Sequence, residues 1–249
     1  MKAFFPILVV LFLVALTNAC GSSKSGGRSQ LQAIIPPNSL EPIEKAIGTP
    51  LYEASRSVAR ADLDGYCTSI RISRDLFMTN QHCFLDTTCQ RTTFTLAYEN
   101  DISAENRPVF QCEEVLLTHF MLDYSIARVS ETTNLDSLQK YPPAILSAKL
   151  PEEGLQLFAP GHPRGRLMEM DRSDQCKITE MSFDQIYHTC DNELGSSGSP
   201  LFDRATLHVI GINWGEAPQI NAGTAMSAIL EDIQQNKPEL YKELRVSSN

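Results

Sequence analysis

The chain has 249 residues, of which 42% are hydrophobic and 20% charged, and its formal net charge at pH 7 is −9. This length suits one two-lobed domain with short extensions, and the composition is that of an ordinary globular protein. The acidic balance argues against a nucleic-acid partner, which would favour a basic surface. It also argues against general attraction to anionic lipid.

The N-terminal segment, residues 1–20, has the pattern of an export signal. Lys2 precedes an apolar run, Ala3–Leu16, that is short for a membrane span. The small residues that follow lead to Cys20 and resemble a bacterial lipoprotein signal, in which Cys20 becomes the lipidated first residue. The alternative is ordinary cleavage after Ala19. Either way we expect an exported protein, anchored at the bacterial cell envelope by Cys20, or else secreted or periplasmic.

Residues 21–51 separate this signal from the rest of the chain. Residues 21–33 are small and polar, which is typical of a tether. Several prolines follow, around a possible short helix at Leu40–Ile47. The sequence leaves open whether this part is a propeptide or an arm packed on the domain.

From residue 52 to 236 the chain is dominated by short β-type runs with turn residues between them. A proline-bearing connector, Lys140–Pro143, separates two lobes at about 52–140 and 144–226. A helix is predicted at Ser227–Ile233, and for residues 237–249 we expect a short second helix and a frayed tail. The predicted strands are Tyr66–Ile72, Leu76–Thr79, Thr93–Tyr98, Val109–Leu117, Ser125–Val129, Gln156–Ala159, Arg166–Met170, Cys176–Met181, Gln185–Thr189, Pro200–Phe202, Leu207–Asn213 and Gly223–Met226.

Three polar residues stand in distinctive local contexts. His82 follows a short apolar strand and precedes Cys83, Asp123 opens another apolar run, and Ser197 lies in Gly195-Ser-Ser-Gly-Ser-Pro. A serine becomes a strong nucleophile only beside a base, which a third group must orient. Glycines around Ser197 allow the backbone N–H groups of Gly195 and Ser197 to form an oxyanion hole. Taken alone, the serine segment also fits a surface turn between strands.

Together the three contexts resemble the trypsin-like (chymotrypsin-fold) serine peptidases, especially the bacterial secreted branch of glutamyl and lysyl endopeptidases. The resemblance spans residues 52–236 and rests on Thr79-x-x-His82-Cys83, Asp123-Tyr-Ser-Ile and the serine motif. It implies an all-β fold of two antiparallel six-stranded β-barrels with a C-terminal helix, and a His82–Asp123–Ser197 triad that hydrolyses peptide bonds. An α/β-hydrolase is rejected, because Ser199 replaces a required glycine and the order of the three residues differs.

Six cysteines remain when Cys20 is set aside, an even number that suits three disulfides in an oxidising compartment. The resemblance implies a Cys67–Cys83 bond that closes the histidine loop. Cys176 and Cys190 bracket a predicted hairpin before the serine loop, which leaves Cys89 with Cys112. A zinc site is the competing interpretation, but the chain has no Cys-x-x-Cys motif and no close Cys/His cluster. We therefore expect neither metal nor cofactor.

The resemblance also implies a substrate pocket. Asp191 lies six residues before Ser197, where the aspartate of trypsin binds Lys or Arg. Asn213-Trp214-Gly215 resembles the strand that pairs with substrate, and Gly223 the residue that keeps the pocket open. Glutamyl enzymes place a histidine in that strand, and this chain has none there. We expect cleavage after Lys or Arg, although the bacterial branch can carry an acidic residue at this position without that preference.

Other features limit how far the resemblance extends. Ser196 replaces the aspartate that receives a freed N-terminal ammonium in the animal enzymes, so that activation switch cannot operate here. His162 resembles a structural residue of the bacterial branch, and we assign no role to the remaining histidines, His119, His188 and His208. The expected partners are protein or peptide substrates, and we expect the protein to be a monomer. The alternatives are a catalytically silent binding protein on the same fold, or an esterase.

Overall fold

The computed structural model describes residues 34–130, 135–217 and 220–248. The export signal at residues 1–20, the lipidation residue Cys20 and the tether up to residue 33 lie outside the described residues. Within the described ranges, no helix is both long enough and apolar enough to cross a membrane.

The segment from residue 34 to the first barrel is an arm packed against the second lobe. Strand β1 (Glu41–Pro42) pairs with a strand of that lobe at Met170, where we expected a helix from Leu40 to Ile47. A one-turn 3₁₀ helix follows, and its Ile43 is fully buried in the larger core cluster. Helix α1 (Pro50–Ser55) comes next and begins with a proline at its first position, where the missing N–H costs nothing.

Six antiparallel strands form a closed barrel in the first lobe. They are β2 (Val58–Asp62), β3 (Tyr66–Arg71), β4 (Leu76–Thr79), β5 (Thr93–Leu96), β6 (Val109–His119) and β7 (Tyr124–Val129). They close in the order β2-β3-β4-β7-β6-β5. The interior is filled by aromatic side chains: the ring of Phe77 stacks on that of Phe94 at 4.9 Å between centroids and touches Phe110. This barrel is the first of the two that the resemblance implies.

The second lobe is a ten-stranded sheet. Its principal path runs β1-β10-β9-β13-β14-β15-β12-β11, and β8 adds a parallel pairing to β14. The sheet curves back on itself where Gln156, just before β9, bridges Lys177, just before β11, and where Leu157 N donates to Cys176 O at 2.8 Å. The second lobe is therefore a half-barrel joined by this one bridge, and the two-lobed, mostly β fold that the resemblance implies is confirmed. The strands are β8 (Leu146–Ser147), β9 (Leu157–Gly161), β10 (Glu169–Asp171), β11 (Ile178–Ser182), β12 (Gln185–His188), β13 (Pro200–Asp203), β14 (Val209–Ala217) and β15 (Ile220–Ala225).

The C-terminal region is more ordered than we predicted. Helix α2 (Met226–Asn236) buries Met226, Ile229, Leu230 and Ile233 against the core, and α3 (Pro238–Tyr241) follows. The short second helix that we expected is therefore present as α3, but the end after it is not frayed, because strand β16 (Val246–Ser247) pairs in parallel with β8. The pairing partner of β16 lies a hundred residues earlier in the chain, which is why the local sequence did not reveal this strand. The 3₁₀ helices are Ile43–Ala46, His82–Phe84, Cys89–Arg91, Ala104–Asn106, Leu135–Lys140 and Pro163–Gly165.

Three disulfides tie down loops beside the strands. They join Cys67 to Cys83, Cys89 to Cys112 and Cys176 to Cys190, which are the pairs we expected. The first links β3 to the short helix that begins at His82, and the third links the base of the β11–β12 hairpin to the segment before Ser197.

Candidate active site

His82 and Asp123 meet at the edge of the closed barrel. His82 begins a 3₁₀ helix three residues after β4, and Asp123 immediately precedes β7, the neighbour of β4 in the barrel. The Asp123 carboxylate accepts two hydrogen bonds from the same residue: Oδ2 from the His82 ring Nδ1 at 2.7 Å, and Oδ1 from the His82 backbone N–H at 2.9 Å. These contacts fix the ring orientation and place the hydrogen on Nδ1, which leaves Nε2 as the basic nitrogen.

The turn that carries Asp123 is held from three sides. Asp123 adopts a left-handed φ of 47°, a conformation that aspartate tolerates better than most residues. Its carbonyl accepts a hydrogen bond from the Asn80 side chain at 2.8 Å, and the carbonyl of Leu122 accepts one from Thr224 of the second lobe at 2.9 Å. The Tyr124 hydroxyl donates to Asp232 on helix α2. Both lobes therefore hold this aspartate in place.

Ser197 lies in a tight loop that is pressed against the first barrel. Its carbonyl accepts a hydrogen bond from Thr68 N of β3 at 2.8 Å. The next residue, Gly198, has φ +83°, and a Cβ there would lie 2.2 Å from the Thr68 carbonyl oxygen. Only glycine fits this close approach. The Thr68 carbonyl also accepts a hydrogen bond from the Thr79 hydroxyl at 2.7 Å, and Thr79 lies three residues before His82. The strand pair β3 and β4 therefore supports both the serine loop and the histidine.

The loop leaves two N–H groups without a protein acceptor. The N–H of Ser196 donates to Glu193 O, and those of Gly198 and Ser199 donate to Asn213 O and Ser196 O. Among the described residues, neither the N–H of Gly195 nor that of Ser197 donates to a protein acceptor. These are the two groups that we predicted for an oxyanion hole, and they remain available to a substrate oxygen.

The contact between serine and histidine is open in this structure. Within the described part of the chain, no hydrogen bond joins the half-exposed Ser197 hydroxyl to the His82 ring, whose side chain is 37% exposed. Such contacts are often long in a free enzyme and tighten when substrate binds.

We predicted that the Asp191 carboxylate lines an open substrate pocket, but the structure buries it against the arm. The residue is 2% exposed, and its two carboxylate oxygens accept the backbone N–H groups of Ile35 and Ser39 in the arm, both at 2.6 Å. Burial raises the pKa of Asp191, opposed by those two hydrogen bonds, and nearby Asp171 raises it further. The expectation of a free carboxylate open to a Lys or Arg side chain is therefore corrected: this carboxylate anchors the arm.

The remaining predicted pocket residues lie on β14 and β15. Asn213 is buried; its Oδ1 contacts Asn192 Nδ2 at 3.0 Å and the ring of His188 at 3.1 Å. Burial lowers the pKa of His188 to about 4, so this wall is uncharged near neutral pH.

Three other pocket residues lie along the same two strands. The Trp214 indole donates to Gln185. A Cβ on Gly215 would meet nothing within 4 Å, whereas on Gly223 it would lie 2.6 Å from the Ile212 carbonyl oxygen. Gly223 is therefore required by strand packing, while Gly215 has open space above it.

One further histidine, His162, and the cysteines carry nitrogen and sulfur atoms of the kind that ligate metals. His162 is fully buried, and burial lowers its pKa to about 3; its Nδ1 contacts the Arg166 carbonyl oxygen at 3.1 Å. Over the described residues, the one cluster with metal-ligand spacing is Cys67, His82 and Cys83. Both cysteines are joined in a disulfide, so their sulfurs are not thiolate ligands.

Comparison with known proteins supports the fold and identifies the family. Residues 67–212 match the family model described as a trypsin-like peptidase domain. The structure of a Glu endopeptidase in complex with MPD superimposes with a TM-score of 0.65 at 19% identity, covering 82% of this chain and 99% of that one. An inactive mutant form of Rv3671c from M. tuberculosis H37Rv gives a TM-score of 0.58 at 20% identity, with the same coverage of 82% and 99%. No curated protein matches the sequence. At these identities the structural likeness establishes the chymotrypsin-like fold.

Proposed function

Since the chain belongs to the trypsin-like peptidase family, we propose that it is an exported endopeptidase that cleaves peptide bonds with Ser197, His82 and Asp123. The observation that carries this proposal is the pair of hydrogen bonds that the Asp123 carboxylate accepts from His82, on the barrel edge against which the Ser197 loop is packed. A histidine oriented in this way is suited to act as a base toward a serine.

In the proposed reaction, Ser197 Oγ attacks the carbonyl carbon of the scissile amide while His82 Nε2 takes the hydroxyl proton. The carbonyl oxygen becomes an oxyanion, which the N–H groups of Gly195 and Ser197 stabilise. His82 then gives its proton to the departing amine, and Asp123 stabilises the charged imidazolium without taking the proton. Water repeats the same steps on the acyl-enzyme and releases the second product.

The test is digestion of a denatured protein mixture by the purified protein, followed by mass spectrometry of the peptides. Ser197→Ala, assayed in parallel, is expected to lower cleavage by at least about a thousandfold with no change in the circular dichroism spectrum. Cleavage that survives in Ser197→Ala would overturn the mechanism. If neither protein cleaves and an organophosphonate probe fails to label Ser197, the protein is a binding protein on this fold.

The same peptide map tests substrate preference. Our expectation of cleavage after Lys or Arg depends on Asp191, and the buried contacts of its carboxylate with the arm weaken that expectation. The wall beside it, formed by Asn192, Asn213 and neutral His188, favours uncharged polar groups. Cleavage mainly after Lys or Arg would show that the arm leaves Asp191 during catalysis.

Export and a monomeric state complete the proposal. Three disulfides support export, since such bonds persist in oxidising compartments. The apolar run before Cys20 supports a lipid anchor at that residue. Metabolic labelling with a fatty acid, compared between wild type and Cys20→Ser, separates a lipoprotein from a protein cleaved after Ala19.

A further inference from the structure

The proposed function requires a rigid oxyanion hole, and Ser196 occupies the position that an N-terminal ammonium would hold in place in the animal enzymes. Another device must therefore orient the two N–H groups. In a trans peptide the C=O and N–H point in opposite directions, so fixing the carbonyl of a peptide fixes where its N–H points. The partners of two carbonyls, those of Ser196 and Leu194, therefore decide the geometry of the hole.

The Ser197 N–H of the oxyanion hole is oriented by a contact within the serine loop and by a contact with Asn213 of the buried pocket wall. The N–H of Ser197 belongs to the same peptide as the Ser196 carbonyl. That carbonyl accepts from Ser199 N at 2.9 Å and from the Asn213 side chain at 3.3 Å. Two donors, both from buried residues, therefore orient this N–H.

The Gly195 half depends on a separate turn. The N–H of Gly195 shares its peptide with the Leu194 carbonyl, which accepts from Arg164 N at 2.5 Å. Arg164 has φ 53° and ψ 26°, the left-handed conformation that is unfavourable for arginine. A Cβ on Gly195 would lie 2.9 Å from Arg164 N, so the turn is in direct contact with the loop. Rotation of the Leu194–Gly195 peptide would break this bond and remove the donor from the hole.

The turn is held by an ion pair with Glu193. The Glu193 side chain is 10% exposed and accepts from Arg164 at 2.9 Å and from Arg166 at 2.5 Å. Its backbone carbonyl also accepts from Ser196 N, and its own N–H donates to the Ser196 hydroxyl at 3.3 Å. Glu193 thus bonds both the loop and the turn that holds the loop.

We propose that Glu193 and Arg164 are positioning residues that keep the Gly195 N–H aimed into the oxyanion hole, in place of a freed N-terminal ammonium. This inference rests on the proposed peptidase function. Neither side chain touches the reacting atoms; both act through the Leu194 carbonyl. Their loss therefore affects the transition state, where the oxyanion exists, more than the binding of substrate.

The test compares Glu193→Gln and Arg164→Gln with Arg204→Gln, a matched control that removes an ion pair with the fully exposed Asp174 in the same lobe. Both test variants keep the backbone donors. We expect kcat to fall about 10- to 100-fold, with KM changed less than about threefold, because a displaced donor costs less than the 10²–10³ of a deleted one. Inhibition by a peptide boronate, which forms a tetrahedral adduct, should weaken by the same factor. The double variant should lose no more than the more impaired of the two single variants.

Arg164→Lys keeps a cation and is expected to recover part of kcat, which a merely structural role would not predict. It also serves if a glutamine variant fails to fold, as judged by circular dichroism. The inference is overturned if both glutamine variants keep kcat within twofold, as the control does, or if boronate inhibition does not follow kcat. An inactive wild type would instead refute the proposed function and this inference with it.

Discussion

The histidine side and the serine side of the site are built in different ways. His82 and Asp123 lie beside adjacent strands of a closed barrel, and His82 donates two hydrogen bonds to the one Asp123 carboxylate. Within the described residues the Ser197 side chain makes no such contact. Its loop is held through backbone groups by Thr68, Asn213 and Arg164, from three separate segments. On the histidine side, one carboxylate orients the base. On the serine side, several separate segments of the fold hold the nucleophile loop in place.

Asp123→Asn is the sharpest way to test the histidine side. The substitution preserves size but disturbs the Nδ1–H hydrogen bond, so the imidazole can adopt the wrong tautomer. We expect kcat to fall by about 10³–10⁴, with a free energy of unfolding that changes little. Steady-state kinetics and urea unfolding measure the two quantities.

Asp75→Asn is the matched control for that substitution, because Asp75 pairs with Arg128 on the same barrel at 3.1 Å, away from His82. Its kcat should equal that of the wild type. If Asp123→Asn also retained full activity, the assignment of His82 as the base would be wrong.

Gly198→Ala tests the serine side, where backbone packing should couple activity to stability. A Cβ would lie 2.2 Å from Thr68 O in a residue with φ +83°, so the loop must move away from β3. We expect a loss of about 3–5 kcal/mol in the free energy of unfolding, together with a large fall in kcat. Unfolding in urea and the peptide assay measure both.

Gly48→Ala separates backbone strain from that contact. Gly48 has nearly the same φ, +81°, but a Cβ there meets nothing within 4 Å. We expect Gly48→Ala to lower the free energy of unfolding by only about 1–2 kcal/mol and to keep full activity. Equal losses in the two variants would show that conformation, and not contact with Thr68, requires glycine in the serine loop.

The same contrast explains how much could be predicted from the sequence. His82, Asp123 and Ser197 each have a local motif, and the alternation of short apolar runs and turns predicted most strands. The arm contact of Asp191 joins residues more than 150 positions apart, and only tertiary structure reveals it. Nor does any local pattern mark Arg164 as left-handed, or Thr68 as the residue that receives the serine loop. Side chains within a local motif were therefore predictable, whereas the role of Asp191 and the backbone supports depend on tertiary contacts and were not.

Two buried histidines provide a smaller test, specific to the serine side. His162 packs beneath the turn at Arg164, and His188 contacts Asn213; burial lowers their pKa values to about 3 and about 4, from an unfolded value near 6.5. Above pH 6.5 both states are neutral and the full stability is present. Between pH 6.5 and about 4 only the unfolded chain takes up these protons, so stability falls as the pH is lowered, by about 1.4 kcal/mol per pH unit for each histidine.

Urea unfolding of wild type and His188→Gln between pH 7 and 5 measures this dependence. The variant should be less stable at pH 7, because it loses the contact with Asn213. As the pH is lowered, its free energy of unfolding should fall less steeply than that of the wild type, and the difference in slope should equal the contribution of one histidine. Carboxyl groups titrate in both proteins, so their contribution cancels in the comparison of slopes. Equal slopes would mean that His188 is protonated in the folded state, and the pocket wall would then carry a positive charge in acid. In that case the serine side would change its electrostatics with pH, whereas a buried neutral His188 keeps the wall uncharged throughout this range.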